Sequence, residues 1–198
     1  MGNKTVSRTS TNDTISTSLD ASVYTDNSVF VEELERVFAH SWQYVGHVEQ
    51  VSNPDDYFTT KVAGESLLIT RSSDGALNAL FNVCAHRAAR VATGEGCKQR
   101  FSCPYHGWTY DEDGNVLAVL PEGPESKIPG KVKARKSPTV TLKGMVFIWM
   151  GDEEPAPLEE DVPPEFFTNK GIMLYAQEIW PLNWRPANEN AFDAHVPY

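Results

Sequence analysis

The sequence predicts a mainly β protein, built around one small antiparallel β-domain. Short β-rich runs such as Tyr57–Val62 follow one another as far as Ile148. Turn sequences separate them: Ser-Ser-Asp-Gly, Asp-Glu-Asp-Gly and Lys-Gly. Many short strands joined by tight turns are typical of an antiparallel domain. We expect a helix before this domain and the start of a truncated α+β domain after it.

The N-terminal residues predict a tail and then a helix. Residues 1–22 are rich in Ser and Thr and show no apolar period, so we expect a disordered tail. Residues 23–47 predict a helical arm, because apolar side chains recur there at helical spacing: Phe30, Leu34, Val37, Phe38 and Trp42.

The predicted β-domain covers residues 48–151. Its strands include "YFTTKV", "SLLITR" and "ALNALF", with "SSDG" joining the last two as a hairpin. "DEDG" precedes the strand "NVLAVL", and Lys143-Gly144 divides two further strands. Residues 152–170 contain seven acidic residues and four prolines, all within the stretch "GDEEPAPLEEDVPPEF". This composition predicts a linker with little that could pack. Residues 171–198 predict a strand, "IMLYAQEIWPL", then a helix, "NWRPANENAFDAH".

Composition excludes several classes of protein. A formal net charge of −10 over 198 residues argues against binding nucleic acid or an anionic membrane surface, which both reward Lys and Arg. No apolar run approaches the ~20 residues of a transmembrane helix, and no signal-peptide core is evident, so we expect a cytoplasmic location. Three cysteines do not make a disulfide framework.

The three cysteines and two of the five histidines lie between Asn82 and Tyr110. Cys84-x-His86 and Cys103-x-x-His106 form two mixed pairs, sixteen residues apart. A zinc finger instead groups its cysteines together and its histidines together. Mixed pairs suit a two-iron cluster in which the cysteines hold one iron and the histidines the other. A zinc-stabilised binding module and a chance gathering of structural residues stay open as alternatives.

The flanking residues carry a family resemblance. "WQYVGHVEQV", "NVCAHR" and "CPYHGWTYDEDGNV" together resemble the Rieske domain of ring-hydroxylating oxygenase α (terminal oxygenase) subunits, over most of residues 24–149. The resemblance implies a [2Fe-2S] cluster with four ligands: thiolates of Cys84 and Cys103 on one iron, imidazoles of His86 and His106 on the other. It also makes Gly107 a loop residue and Trp108 an aromatic cover beside the cluster.

Several positions in and between the two motifs bear on how closely the chain follows known Rieske proteins. Ala88 stands where the family has glycine, which is costly if φ there is positive. Ala89 and Tyr105 occupy the positions of the disulfide of respiratory Rieske proteins. We therefore expect a reduction potential near the lower end of the roughly −150 to +300 mV Rieske range. Cys97 has no partner in the motif, and we expect a small loop residue without a redox role.

The resemblance extends into "NWRPANENAFDAHVPY". It makes Asp193 the carboxylate that bridges the Rieske histidine of one subunit to the mononuclear Fe(II) of its neighbour, and His195 a ligand of that iron. These residues stand two apart, whereas the family spaces them three apart. The second histidine and the distal carboxylate would lie beyond Tyr198, so we expect the chain to be an N-terminal portion without a complete mononuclear site.

The function implied by the resemblance is that of a terminal oxygenase. The parent protein would hydroxylate or demethylate an aromatic or other organic small molecule with O2. Its electrons would come from NAD(P)H through a reductase or ferredoxin, and its assembly would be a homotrimer. A free-standing Rieske ferredoxin is the alternative, although such a carrier has no use for the arm before the β-domain or for residues 183–193.

Overall fold

The computed structural model describes residues 19–168, 170, 178 and 180–191. The chain divides into two compact units, one of residues 31–177 and one of residues 1–30 with 178–198. No helix within the described ranges is long and apolar enough to cross a membrane.

The larger unit contains all the strands found among the described residues, and every pairing is antiparallel. In chain order they are β1 Trp42–His47, β2 Asp56–Val62, β3 Glu65–Arg71, β4 Leu77–Phe81, β5 Glu95–Cys97, β6 Arg100–Ser102, β7 Trp108–Asp111, β8 Val116–Val119, β9 Lys136–Ser137, β10 Thr139–Leu142 and β11 Met145–Trp149. They form three sheets, ordered β1-β11-β10, β5-β2-β3-β4-β9 and β6-β7-β8. The predicted mainly β antiparallel fold is confirmed.

The predicted hairpins form where the turn residues suit them. β3 and β4 pair across "SSDG", and β7 and β8 pair across the "DEDG" turn. β10 and β11 meet at Lys143 and Gly144, whose φ angles are 49° and 82°. Positive φ at both central residues gives the turn a twist that matches the flanking strands.

Alternation along the central sheet divides the core in two. One face packs Leu68 and Leu80 in the same buried group as Cys84 and Cys103. The opposite face packs Ile69 and Ala79 against residues of β1 and β11. Because successive side chains of a strand point to opposite faces, one sheet supports the Cys/His region and is itself backed by a second core.

The helical arm expected over residues 23–47 is wrong at its C-terminal end. The helix α2 spans Asn27–Arg36, and a 3₁₀ turn follows at Phe38–His40. Trp42 begins β1 and lies opposite Trp149 of β11. The helical spacing of apolar residues was real, but pairing with β11 supplied the backbone hydrogen bonds of residues 42–47 and decided their conformation.

The expectation that residues 152–170 pack little is also wrong. Leu158 and Val162 are buried, 7% exposed each, in a group with Phe147 of β11. The Trp42 backbone N–H donates to the Asp161 carboxylate at 2.6 Å, and the Trp42 indole N–H donates to the Ala156 carbonyl at 2.7 Å. Leu158 lies in a 3₁₀ turn and a short helix, α3, spans Glu165–Thr168. Apolar packing and two hydrogen bonds from Trp42 therefore dock this acidic segment.

The smaller unit pairs a short helix with a longer one. Helix α1 spans Ser22–Thr25 and α4 spans Trp184–Ala191. The Asn183 side chain accepts the Arg185 N–H at 2.9 Å and caps α4, which has Pro186 in its first turn as predicted. The predicted tail before residue 19 and most of the predicted strand "IMLYAQEIWPL" lie outside the described residues.

Candidate metal centre

Two loops of the same construction carry the Cys/His pairs. In the first, the Cys84 N–H donates to the Ala89 carbonyl and the Ala88 N–H donates to the Cys84 carbonyl, both at 2.8 Å. In the second, the Cys103 N–H donates to the Trp108 carbonyl at 2.8 Å, and the Gly107 N–H to the Cys103 carbonyl at 2.9 Å. Each cysteine thus begins a closed turn whose histidine follows two or three residues later.

Both turns require a left-handed residue at the same place. Ala88 has φ 54° and Gly107 has φ 69°, each four residues after its cysteine. The expected cost at Ala88 is therefore present, since a side chain in this region crowds the backbone. At Gly107 a Cβ atom would also lie 2.4 Å from the Cδ1 atom of Leu120. Glycine is needed there for space as well as for conformation.

The thiols of Cys84 and Cys103 lie inside the protein. Both residues are 3% exposed and neither forms a disulfide. The Tyr110 hydroxyl donates to the Cys84 Sγ atom at 3.3 Å and accepts the Ala85 N–H at 2.9 Å. Burial, and then the hydrogen bond to Cys84, raise the pKa of Tyr110. Tyr110 therefore stays protonated and remains a donor to the sulfur.

The imidazoles lie nearer the surface than the thiols. The His86 and His106 ring centroids are 4.8 Å apart, and the Trp108 ring stacks on His86 at 5.4 Å with 3° between the planes. His86 is exposed and His106 half-buried. Desolvation, then the charges of His86 and Arg87, lower the pKa of His106. The Nδ1 atom of His106 is buried and has no hydrogen-bond partner.

Both thiols and one imidazole nitrogen are available as metal ligands. The thiols are buried, and the Nδ1 atom of His106 has no hydrogen-bond partner. A tetrahedral zinc site needs four such ligands around one centre. A [2Fe-2S] cluster needs only two protein ligands for each iron. Two thiols and two imidazoles, carried by two matching loops, are the donor set that such a cluster uses.

Some positions named from the sequence have smaller roles. Tyr105 is 59% exposed and its ring lies against His106, with 3.8 Å between centroids. Ala89 packs beside the buried group that includes Cys84. Cys97 is exposed, and it lies in the edge strand β5 where a loop was expected. None of these residues can form a disulfide that links the two loops.

Tyr110 is a site residue that sequence reasoning missed. It stands two residues after Trp108 on β7, so both side chains point to the same face of the strand. That alternation was available in the sequence, but nothing in it placed the hydroxyl beside Cys84. Asp193 and His195 lie outside the described residues, beyond the end of α4 at Ala191.

Two protein families match this chain. Residues 41–137 match the Rieske [2Fe-2S] domain, and residues 149–198 match the homotrimeric ring hydroxylase family. The chain belongs to the Rieske oxygenase α-subunit family. The Rieske domain binds a [2Fe-2S] cluster, which neither a zinc module nor a chance gathering of residues would do.

Relatives of this Rieske oxygenase chain include monooxygenases and dioxygenases. The chloroplastic choline monooxygenase of Spinacia oleracea is 33% identical over 90% of this chain and 44% of that protein. The benzene 1,2-dioxygenase α subunit of Pseudomonas putida is 36% identical over 65% of this chain and 29% of that protein. A solved quaternary ammonium Rieske monooxygenase with gamma-butyrobetaine has a TM-score of 0.66 at 36% identity, over 74% of this chain and 42% of that one. The chain spans less than half the length of each.

Proposed function

We propose that this chain is the electron-receiving portion of a terminal oxygenase. Cys84 and Cys103 would hold one iron of the [2Fe-2S] cluster, and His86 and His106 the other. The observation that carries this assignment is the pair of matching loops, which bring two buried thiols and two adjacent imidazoles to one place. The cluster, when bound, accepts one electron and passes it on.

The protein side chains around the cluster shape that transfer. The buried thiols place one end of the site in the core, and the exposed His86 places the other end at the surface. Tyr110 supplies a hydrogen bond to a ligand sulfur, which stabilises added negative charge. The stacked Trp108 shields one face of His86 from water. Electrons therefore leave or enter most directly through the histidine end.

The acceptor of those electrons would be a mononuclear iron. His195 is proposed as a ligand of that Fe(II), and Asp193 as the bridge to it from the Rieske histidine of a neighbouring subunit. The match of residues 149–198 to a homotrimeric family supports a trimer. The electron donor would be a reductase or ferredoxin fed by NAD(P)H, with O2 as co-substrate.

Similarity favours a quaternary ammonium compound as the substrate. The alignment with choline monooxygenase covers 90% of the chain, so it includes most of the segment that belongs to the hydroxylase family. The alignment with the benzene dioxygenase subunit covers 65%. We therefore propose oxidation of an alkylammonium substrate, such as choline or a betaine, ahead of an aromatic ring.

The assignment is tested in two steps. Purified protein should contain two iron and two sulfide per chain, and its reduced form should show the low average g-value of histidine-ligated clusters. Stoichiometric zinc without sulfide would contradict it. Product formation from choline, carnitine and naphthalene is then compared in the longer parent protein, with NADH, a reductase and O2 supplied, because this chain alone is expected to lack a complete mononuclear iron site and to form no product. His195→Ala should abolish product and leave the cluster spectrum unchanged.

A free-standing Rieske ferredoxin is the second candidate. It shares the cluster but has no use for residues 149–198, which match a hydroxylase family. The two functions differ in the same assay, because a ferredoxin transfers electrons to an added oxygenase and forms no product that depends on His195.

A further inference from the structure

Two buried asparagines lie on one face of β4 and its continuation. Asn78 is 0% exposed and Asn82 is 1% exposed. Leu80 stands between them and packs in the buried group that contains Cys84, Cys103 and Tyr110. Residues two and four apart on a strand share a face, so both amides point toward the Cys/His loops.

Asn78 joins three separate segments. Its Nδ2 atom donates to Ser72 Oγ at 2.6 Å and Asp113 Oδ1 at 2.9 Å, and lies 3.2 Å from the Glu112 carbonyl. Its Oδ1 atom accepts from Lys136 Nζ. The amide is therefore fully satisfied, and it holds the β7–β8 turn against the β3–β4 turn. Removing it would take this acceptor from Lys136 and one of the links between the two turns, while Ser72 still donates to Asp113 Oδ1 at 2.9 Å.

The β7–β8 turn sits tightly on the central sheet. A Cβ atom at Gly114 would lie 3.0 Å from Leu80 Cδ2 and 3.1 Å from the Ala134 Cβ. β7 is only four residues long and ends at this turn. Tyr110 lies one residue before this turn, and its hydroxyl reaches Cys84, so the position of the turn bears on that contact.

Asn82 holds the first loop at both ends. Its Oδ1 atom accepts the Val91 N–H at 3.1 Å and the Ala92 N–H at 2.9 Å. Its Nδ2 atom donates to the Ala92 carbonyl at 2.8 Å and to Ser66 Oγ on β3 at 3.1 Å. Cys84 follows two residues later. The chain leaving the loop is thus fixed to the residue that enters it and to the sheet.

We propose that Asn78 and Asn82 are positioning residues for the iron–sulfur cluster. Asn78 sets the distance between Tyr110 and the Cys84 sulfur and so sets the reduction potential. Asn82 fixes the loop that carries Cys84 and His86 and so sets how firmly the cluster is retained. The inference rests on the proposed ligand set, because it needs a cluster held by these two loops.

A double-mutant cycle on the holoprotein tests the role of Asn78. Reduction potentials are measured for wild type, Asn78→Ala, Tyr110→Phe and the double variant. We expect Tyr110→Phe to lower the equilibrium constant for reduction of the cluster about threefold to tenfold. A tenfold change corresponds to about 59 mV for one electron. Asn78→Ala should shift the potential in the same direction, and the double variant should match Tyr110→Phe alone. Such non-additivity shows that Asn78 acts through Tyr110.

The controls separate positioning from stability. Val146→Ala, in the core on the other face of the central sheet, should lower the melting temperature with the potential unchanged. Asn78→Ser is uncharged and places no second carboxylate beside Asp113, and it replaces Asn78→Ala if that variant does not fold. A wild-type potential for a folded Asn78 variant, or additive shifts in the double variant, overturns the role of Asn78.

Asn82 is tested by cluster retention. We expect Asn82→Ala to lose iron to a chelator about tenfold faster than wild type, with Val146→Ala losing it at the wild-type rate. Asn82→Asp keeps the acceptor for the two amides and should restore part of the difference. Equal rates for wild type and Asn82→Ala overturn this role. A wild-type protein without a [2Fe-2S] spectrum instead contradicts the proposed function itself.

Discussion

Replacing Tyr110 by phenylalanine should lower the reduction potential of the cluster. The substitution removes one hydroxyl and keeps a ring that is 3% exposed in the core. The lost hydrogen bond is the one from Tyr110 to Cys84 Sγ, at 3.3 Å. Ala85 also loses the acceptor of its N–H, but this backbone group is neutral whereas a ligand sulfur carries charge. The potential should therefore report the bond to sulfur.

The size of the shift follows from the charge on that sulfur. A hydrogen bond to a charged group contributes about 1.5–3 kcal/mol. Reduction adds negative charge to the cluster, so the bond is stronger in the reduced state. If about half of the bond energy appears only on reduction, roughly 0.7–1.5 kcal/mol is lost. The potential then falls by about 30–65 mV, because 59 mV corresponds to a tenfold change for one electron.

A spectroelectrochemical titration measures this shift directly. Wild type and Tyr110→Phe are titrated at the same pH and ionic strength, and matching visible spectra confirm that the ligands are unchanged. Trp108 neighbours the site without donating to a sulfur within the described contacts, so Trp108→Phe is a useful comparison. A potential that rises, or one that stays within about 10 mV of wild type, refutes the argument that Tyr110 stabilises the reduced cluster.

Four further results are expected. Ala88→Gly should raise the free energy of unfolding, measured by urea titration, by about 1 kcal/mol, whereas Gly107→Ala should lower it. The opposite signs would contradict left-handed strain at these positions. Leu158→Ala should cost about 2–3 kcal/mol in the same assay, while an unchanged value would mean that residues 152–170 do not dock. His86→Cys should move the EPR spectrum toward the all-cysteine type, and an unchanged spectrum would remove His86 from the ligand set. The wild-type potential should lie below about 0 mV, near the lower end of the roughly −150 to +300 mV Rieske range, and a thiol reductant should not alter it, since the cysteines form no disulfide.

Local patterns predicted the parts of the fold that depend on neighbouring residues. Lys143-Gly144 predicted a hairpin, and their positive φ angles form its turn. Ala88 stood out because the family that the chain resembles usually has glycine there, and its φ of 54° shows that the position is left-handed. Turn geometry depends on two to four consecutive residues, so a short stretch of sequence is enough to predict a turn.

Distant pairing decided the parts that sequence patterns misjudged. Trp42 follows a helical apolar spacing, yet it lies in β1 because Trp149 of β11, over a hundred residues later, is its partner. Leu158 stands among acids and prolines, yet it is buried against Phe147. Neither partner can be recognised from the residues that surround Trp42 or Leu158.

The sequence by itself determined which side chains we propose as cluster ligands, because each Cys/His pair lies within three residues and its turn brings the pair together. Only the tertiary structure decided what surrounds them. Tyr110 reaches Cys84 from 26 positions away, and Asn78 reaches Asp113 from 35. Such contacts depend on how β4 and β7 are placed against each other. That placement is set by the packing of Leu80 and its neighbours, since no short stretch of the chain encodes the distance between two strands.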